Sequence, residues 1–165
     1  NALYRDFEGW NYLISIDESM QDEIRRYQMG KGMVIFPDKD ECWESKDFNP
    51  HRRRRANAGM IAMQEAINRH ATCLVCLGFD FIIEGEDSVD NLYKDTPNYG
   101  VETAAVVSDN YHRIRYFEWF ASQNPDVNFV FVVPDNAKCK VIQGDNVGGI
   151  RMSTFLEEIN RDDSV

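Results

Sequence analysis

The 165-residue chain is 43% hydrophobic, which suits one α/β domain spanning residues 1–165 with a core around a single sheet. Its 18 basic and 28 acidic residues leave a net charge of −10, a field that repels phosphate backbones and anionic membrane surfaces and so argues against nucleic acid as a partner. No apolar run approaches the ~20 residues needed to cross a bilayer. Asn1 to Trp10 lacks a basic-then-apolar signal pattern, so the expectation is a cytoplasmic protein with no membrane partner.

Tyr12 to Asp17 is the first strand candidate, and Glu18 to Gln28 follows with Met20, Ile24 and Tyr27 at helical spacing. Asp17 or Ser19 suits the cap of that helix and Gly30 its end. Met33 to Asp38 is short and apolar enough for a buried parallel strand. Lys39 to Arg55 is polar and charge-rich, which predicts a loop. Ala58 to Arg69 carries Met60, Ile61, Met63, Ala66 and Ile67 at helical spacing and leads directly into the strongest strand, Cys73 to Phe79, which ends at Asp80. Ile82 to Val107 shows no clear period and predicts a loop of about 25 residues, a length at which loops in compact domains are functional lids or disordered. Ser108 to Ser122 returns to helical spacing, Val127 to Val133 gives the fourth strand and ends at Pro134-Asp135, Lys140 to Ile142 predicts a weak edge strand, and Ser153 to Ile159 a short closing helix.

This alternation predicts a Rossmann-like three-layer α/β/α fold with a mostly parallel sheet. Asp17, Asp38, Asp80 and Asp135 then mark the carboxyl edge, where open α/β sheets bind ligands. Aspartates after strands also cap helices and start turns. Asp80 is the best functional candidate of the four because it opens the long loop rather than a helix. Arg52 to Arg55 is the only concentrated positive charge and stands just before Asn57-Ala58-Gly59 at the start of a predicted helix. Guanidinium groups beside free helix amides suit a phosphate or carboxylate, while a solvated run paired with the acidic stretch Asp38 to Asp47 explains the same residues. Asn91, Tyr93, Asn98 and Tyr99 offer amides and hydroxyls suited to a sugar or a departing phosphate, or to packing. Of the histidines, His70 belongs to a helix end, and His112 is placed where a general base would serve. The cysteines at 42, 73, 76 and 139 include a Cys-x-x-Cys inside a strand, where residues three apart face opposite ways, so buried thiols are expected.

Arg55 to Gly59, the following helix, Leu77-Gly78-Phe79-Asp80-Phe81, a tyrosine-bearing loop, a helix ending near Trp119-Phe120 and Phe131 to Asp135 together resemble the nucleotide-binding and acceptor half of bacterial sialyltransferases over roughly half the chain. The resemblance implies that Arg55, Asn57, Ala58 and Gly59 hold the cytidine monophosphate of a CMP-sugar donor, that Tyr93 assists phosphate departure, and that His112 or Asp80 serves as base. Asn57 and Ala58 stand where the family has hydroxylated residues, and Ser108 where it has its catalytic histidine, one turn before His112. The whole chain is also similar to uncharacterised proteins of marine phages, through Phe48-Asn49-Pro50, Asn57-x-Gly59, Leu77 to Asp80 and Asn98-Tyr99-Gly100. The expectations are a sialyltransferase-like glycosyltransferase domain with a nucleotide sugar or glycan as partner and no cofactor or metal, or a non-catalytic relative that binds a nucleotide, sugar or protein.

Overall fold

Among the described residues every strand-to-strand pairing is parallel, with a helix between the two strands of the first and second pairs and a helix-free connection between those of the third. The structure is a computed structural model that describes residues 3–7, 9–27, 32–37, 57–85, 93, 95–100 and 107–162. It contains β1 (Tyr12–Ile14), α1 (Glu18–Arg26), β2 (Met33–Ile35), α2 (Ala58–Asn68), β3 (Cys73–Cys76), α3 (Val107–Gln123), β4 (Asn128–Val133), β5 (Val147–Arg151) and α4 (Met152–Asp162). This is an α/β architecture compatible with a Rossmann-like fold. The pairings make two sheets, β1-β2 and β3-β4-β5. The chain divides into two compact units, Asn1–Ala62 with Asp90–Ala104, and Met63–Val89 with Ala105–Val165.

In the first unit, β1 and β2 pair through Leu13 and Val34. Leu13 packs with Tyr4 of a 3-10 turn (Leu3–Arg5) and with Met20 and Ile24, which lie four apart on the buried face of α1. Ile14 and Ile16 point to the opposite face and meet Ile61, Ala58 and Ala62 from the first turns of α2, together with Ile35 of β2. Period-two alternation along β1 therefore divides its contacts between two helices.

In the second unit the core is aromatic. Phe117 of α3 and Phe129 of β4 are both 0% exposed, and the Phe117 ring stands edge-on to Phe129 at 5.3 Å and to Phe131 at 5.0 Å. Gly78, at φ 73, turns the chain from β3 into a second 3-10 turn (Asp80–Ile82), whose Phe81 ring reaches Phe131 at 6.3 Å. Asn146 holds the start of β5 in place by donating from Nδ2 to the carbonyls of Ala121, Asn124 and Val127 at 3.2, 2.9 and 2.8 Å.

Several expectations are corrected. Lys140 to Ile142 is not a strand. Cys139 makes one isolated antiparallel bridge to Ile83, and Val141 is 84% exposed. The strand that pairs with β4 beyond this segment is β5, which contains Gly148-Gly149, residues that strands disfavour. β1, β2 and β3 end at Ile14, Ile35 and Cys76, short of their expected ends, and α4 runs from Met152 to Asp162. The expected long loop starts as ordered structure, with the 3-10 turn at Asp80–Ile82 and the Ile83 bridge.

The thiols are not uniformly buried. Cys76 is buried and Cys73 exposed, on opposite faces of β3; Cys139 is half-buried and Cys42 lies outside the described residues. Burial, and then the neighbouring Cys73, push the Cys76 thiol up to about 12. In the native chain Cys73 is therefore expected to react with iodoacetamide while Cys76 reacts only after denaturation, a difference that mass spectrometry of the alkylated peptides reads directly.

α2 ends in a Schellman motif. His70 sits at φ 69, its N–H donates to the Ile67 carbonyl at 2.8 Å, and the Ala71 N–H donates to Ala66 at 3.0 Å. A left-handed position favours glycine, so His70→Gly is expected to raise stability by about 0.5–1 kcal/mol in urea denaturation.

Candidate functional site

Asn57 stands at the amino end of α2, where its Oδ1 accepts the Met60 N–H at 3.0 Å and its carbonyl accepts the Ile61 N–H at 3.1 Å. This is an N-cap, a position that asparagine favours. Ala58 and Gly59 form the first turn, half-buried, with Ala58 packed against the Ile14-Ile16-Ile61 cluster. Ile14 and Ile35 are the last residues of β1 and β2, so within the first unit α2 begins beside the carboxyl ends of both strands. Arg55 and the rest of the arginine run, like Asp38 and Asn91, lie outside the described residues.

Tyr93 belongs to the same unit but to a different arrangement. Tyr93 and residues 95–100 form a turn in which the Asp95 N–H donates to Tyr99, Thr96 to Tyr93 and Tyr99 to Thr96, at 3.0, 3.1 and 3.0 Å. Asp95 and Asn98 take left-handed backbone at φ 61 and 72, a conformation that Asx residues tolerate. Arg5 and Glu23 clamp this turn. Arg5 reaches both Glu23 oxygens, with Nη2 at 2.6 and 2.8 Å, and also donates to Thr96 Oγ1 at 2.9 Å and the Pro97 carbonyl at 3.2 Å. Glu23 further accepts hydrogen bonds from the Tyr4 hydroxyl and, at 2.8 Å, from Asn98 Nδ2. The Arg5 guanidinium lies over the Tyr93 ring, 5.6 Å from its centroid.

This network sets the local protonation. Burial works to raise the Glu23 carboxyl, but the hydrogen bonds from Tyr4 and Arg5 outweigh it and hold the group below the usual carboxylate range. Burial and the Glu23 hydrogen bond push the Tyr4 hydroxyl up to about 12. Burial, then the adjacent Asp6 carboxylate, raise the Tyr93 hydroxyl above its ordinary value against the pull of Arg5. Tyr93 thus remains a protonated phenol, able to donate but poor as an acid.

The other two expected catalytic residues belong to the second unit. Asp80 is half-buried at the start of its 3-10 turn, and its carbonyl accepts the Ile83 N–H at 2.9 Å. That turn packs against α3. His112 is half-buried in the second turn of α3, edge-on to the Tyr111 ring at 5.4 Å. Two of the other strand-end aspartates, Asp17 and Asp135, stand at helix starts. Asp17 takes the N-cap position of α1, and Asp135 accepts the N–H and hydroxyl of Ser153 at 3.1 and 2.7 Å at the start of α4, bonds that hold its carboxyl below the usual range.

The structure therefore brings Asn57, Ala58 and Gly59 into one capped turn, sets Asp80 and His112 on packed elements, and commits Tyr93 to the clamp. Sequence reasoning missed Arg5 and Glu23, which hold the Tyr93 turn. Among the described residues, no group of three or more histidine, cysteine, aspartate and glutamate side chains is placed to hold a metal ion. No helix among them is long and apolar enough to cross a membrane. Comparison with protein-family models, with curated proteins and with solved structures returns no match to this chain.

Proposed function

We propose that the chain binds a nucleotide at the amino end of α2, with the backbone amides of Ala58 and Gly59, the Asn57 side chain and Arg55 receiving its phosphate. One observation carries the reading. The first turns of α2 pack, through Ala58, Ile61 and Ala62, on Ile14, Ile16 and Ile35 at the carboxyl ends of β1 and β2. Helix amides that begin at that edge are where open α/β sheets take anionic ligands. The resemblance to sialyltransferases adds the base, cytidine, and the class of donor, a CMP-sugar.

Thermal unfolding with millimolar CMP or CDP is the test. Binding with a Kd near 0.1 mM is expected to stabilise the fold by about 1.4–2.7 kcal/mol at ten- to hundredfold excess, and Asn57→Ala to reduce the shift. An unchanged melting temperature beside a responding control protein would overturn the reading.

A non-catalytic binding role is the second reading, favoured by the fate of Tyr93. Its ring lies under Arg5 and its hydroxyl stays protonated, so the residue acts as a structural anchor of the clamp. Transfer of sugar from a CMP-sugar to a glycan acceptor, abolished in His112→Ala or Asp80→Ala, distinguishes the enzyme from the binding module.

A further inference from the structure

We propose that the amino end of α3 forms a second binding site, for a small anion bearing a carboxylate or phosphate, in which Asn110 and Arg113 supply the donors. Asn110 is 1% exposed, among the most deeply buried polar residues described. Its Oδ1 accepts the Arg113 Nη1 hydrogen at 3.2 Å, while its Nδ2 meets no acceptor. Turning the amide over does not cure this, because Nδ2 would then face the guanidinium, donor against donor. The orientation is fixed by Arg113, and an amide that can donate two hydrogens is left buried with nothing to receive them. Natural cores rarely keep such a group without a use for it.

Ring contacts locate it. Phe120 meets Phe129 at 5.8 Å, whereas Phe117, one turn earlier, meets both Phe129 and Phe131. Moving toward the amino end of α3 therefore climbs β4 toward its carboxyl end. Asn110 lies seven residues before Phe117, about 10 Å along the helix axis. Val133, the last residue of β4, lies about 7 Å beyond Phe131. Asn110 consequently stands at the carboxyl edge of the β3-β4-β5 sheet. Helical side chains lean toward the amino end of their helix, so Asn110 and Arg113 both reach for that edge.

The donors converging there are an amide, a guanidinium and the amino-terminal N–H groups of a 17-residue helix. Such a set fits an anionic oxygen better than any neutral group. His112, about 200° around the helix from Asn110 at 100° per residue, is not part of the site. The inference is independent of the nucleotide reading, since it uses another helix and other residues.

The test follows the side-chain NH2 pair of Asn110 in 1H–15N spectra of the intact chain. Inorganic phosphate and, separately, malonate are titrated in at an ionic strength held constant with sodium chloride. A saturable shift of that pair is expected, half-complete on the order of 1–10 mM, and Arg113→Gln is expected to weaken it about tenfold. A response to phosphate alone identifies a phosphate ligand, and a response to malonate alone a carboxylate ligand. Asn110→Leu, which removes the orphaned donor, is expected to melt higher than the native chain and to lose the thermal stabilisation given by the anion. Asn57→Ala leaves the titration unchanged. No saturable shift with either anion, an equal titration in Arg113→Gln, or an unchanged anion response in Asn110→Leu overturns the proposal.

Discussion

Replacing Phe117 with alanine is expected to destabilise the fold by about 4 kcal/mol, read as a fall in the urea midpoint with the slope unchanged. Phe117 is 0% exposed, and its ring fills the space between α3 and β4 through edge contacts with Phe129 and Phe131. Truncation removes the transfer energy of the ring and leaves a void among rings that cannot collapse around it. Whole-domain stabilities are roughly 5–15 kcal/mol, so this substitution takes a large share. Phe117→Leu retains most of the volume and is expected to cost about 1.5 kcal/mol. Equal losses from both variants would mean that ring geometry, rather than volume, sets the core.

The second large effect is expected at Glu23. Glu23→Ala removes the acceptor shared by Arg5, Tyr4 and Asn98 and leaves the Arg5 guanidinium without its carboxylate. Both side chains retain 17% exposure, so water screens part of the loss. About 2 kcal/mol is expected rather than the 3–5 kcal/mol of a fully buried pair. The effect has a pH signature. The folded carboxyl titrates below its unfolded value of about 4.3, so the unfolded chain holds more protons in that window and stability rises with pH through it. The contribution is complete above about pH 4.3 and disappears as pH falls through the lower folded value. Glu23→Gln should therefore differ from the native chain at pH 6 and converge with it in strong acid. Tyr4 has the opposite sign. Its folded value near 12 lies above the ordinary 10, so its contribution is present below about pH 10 and is lost as pH rises toward 12.

What could be read in the sequence was whatever depends on near neighbours. Met20 and Ile24 announce the buried face of α1 by spacing alone, and Asn57 announces the start of α2 through its cap. β5 was hidden because its stability comes from backbone pairing with β4 rather than from side chains. Gly148 and Gly149 carry no apolar signal, while Lys140 to Ile142 carries one without being paired as a strand. The clamp was hidden for another reason. Arg5 and Glu23 lie 18 residues apart and Glu23 and Asn98 lie 75 apart, so no local pattern links them. Asn98 looked like a sugar ligand because its amide showed no internal partner until Glu23 was placed beside it. Asn110 carries no local signal of its burial, because a single asparagine early in a helix suits a solvent-facing position as well as a buried one.

The clamp also orders events on the ribosome. Glu23 follows Arg5 by only 18 residues, but Asn98 follows Glu23 by 75 and Thr96 follows Arg5 by 91. At about 5–20 residues per second, the earlier pair waits roughly 4–15 s for the turn that completes its shell. During that interval β3, which belongs to the other unit, has already been made. The first unit is therefore a late-closing one. Arg5 and Glu23 are made before β3 but gain their full set of partners only after part of the neighbouring unit has been synthesised, which gives holdase chaperones a defined period in which to act.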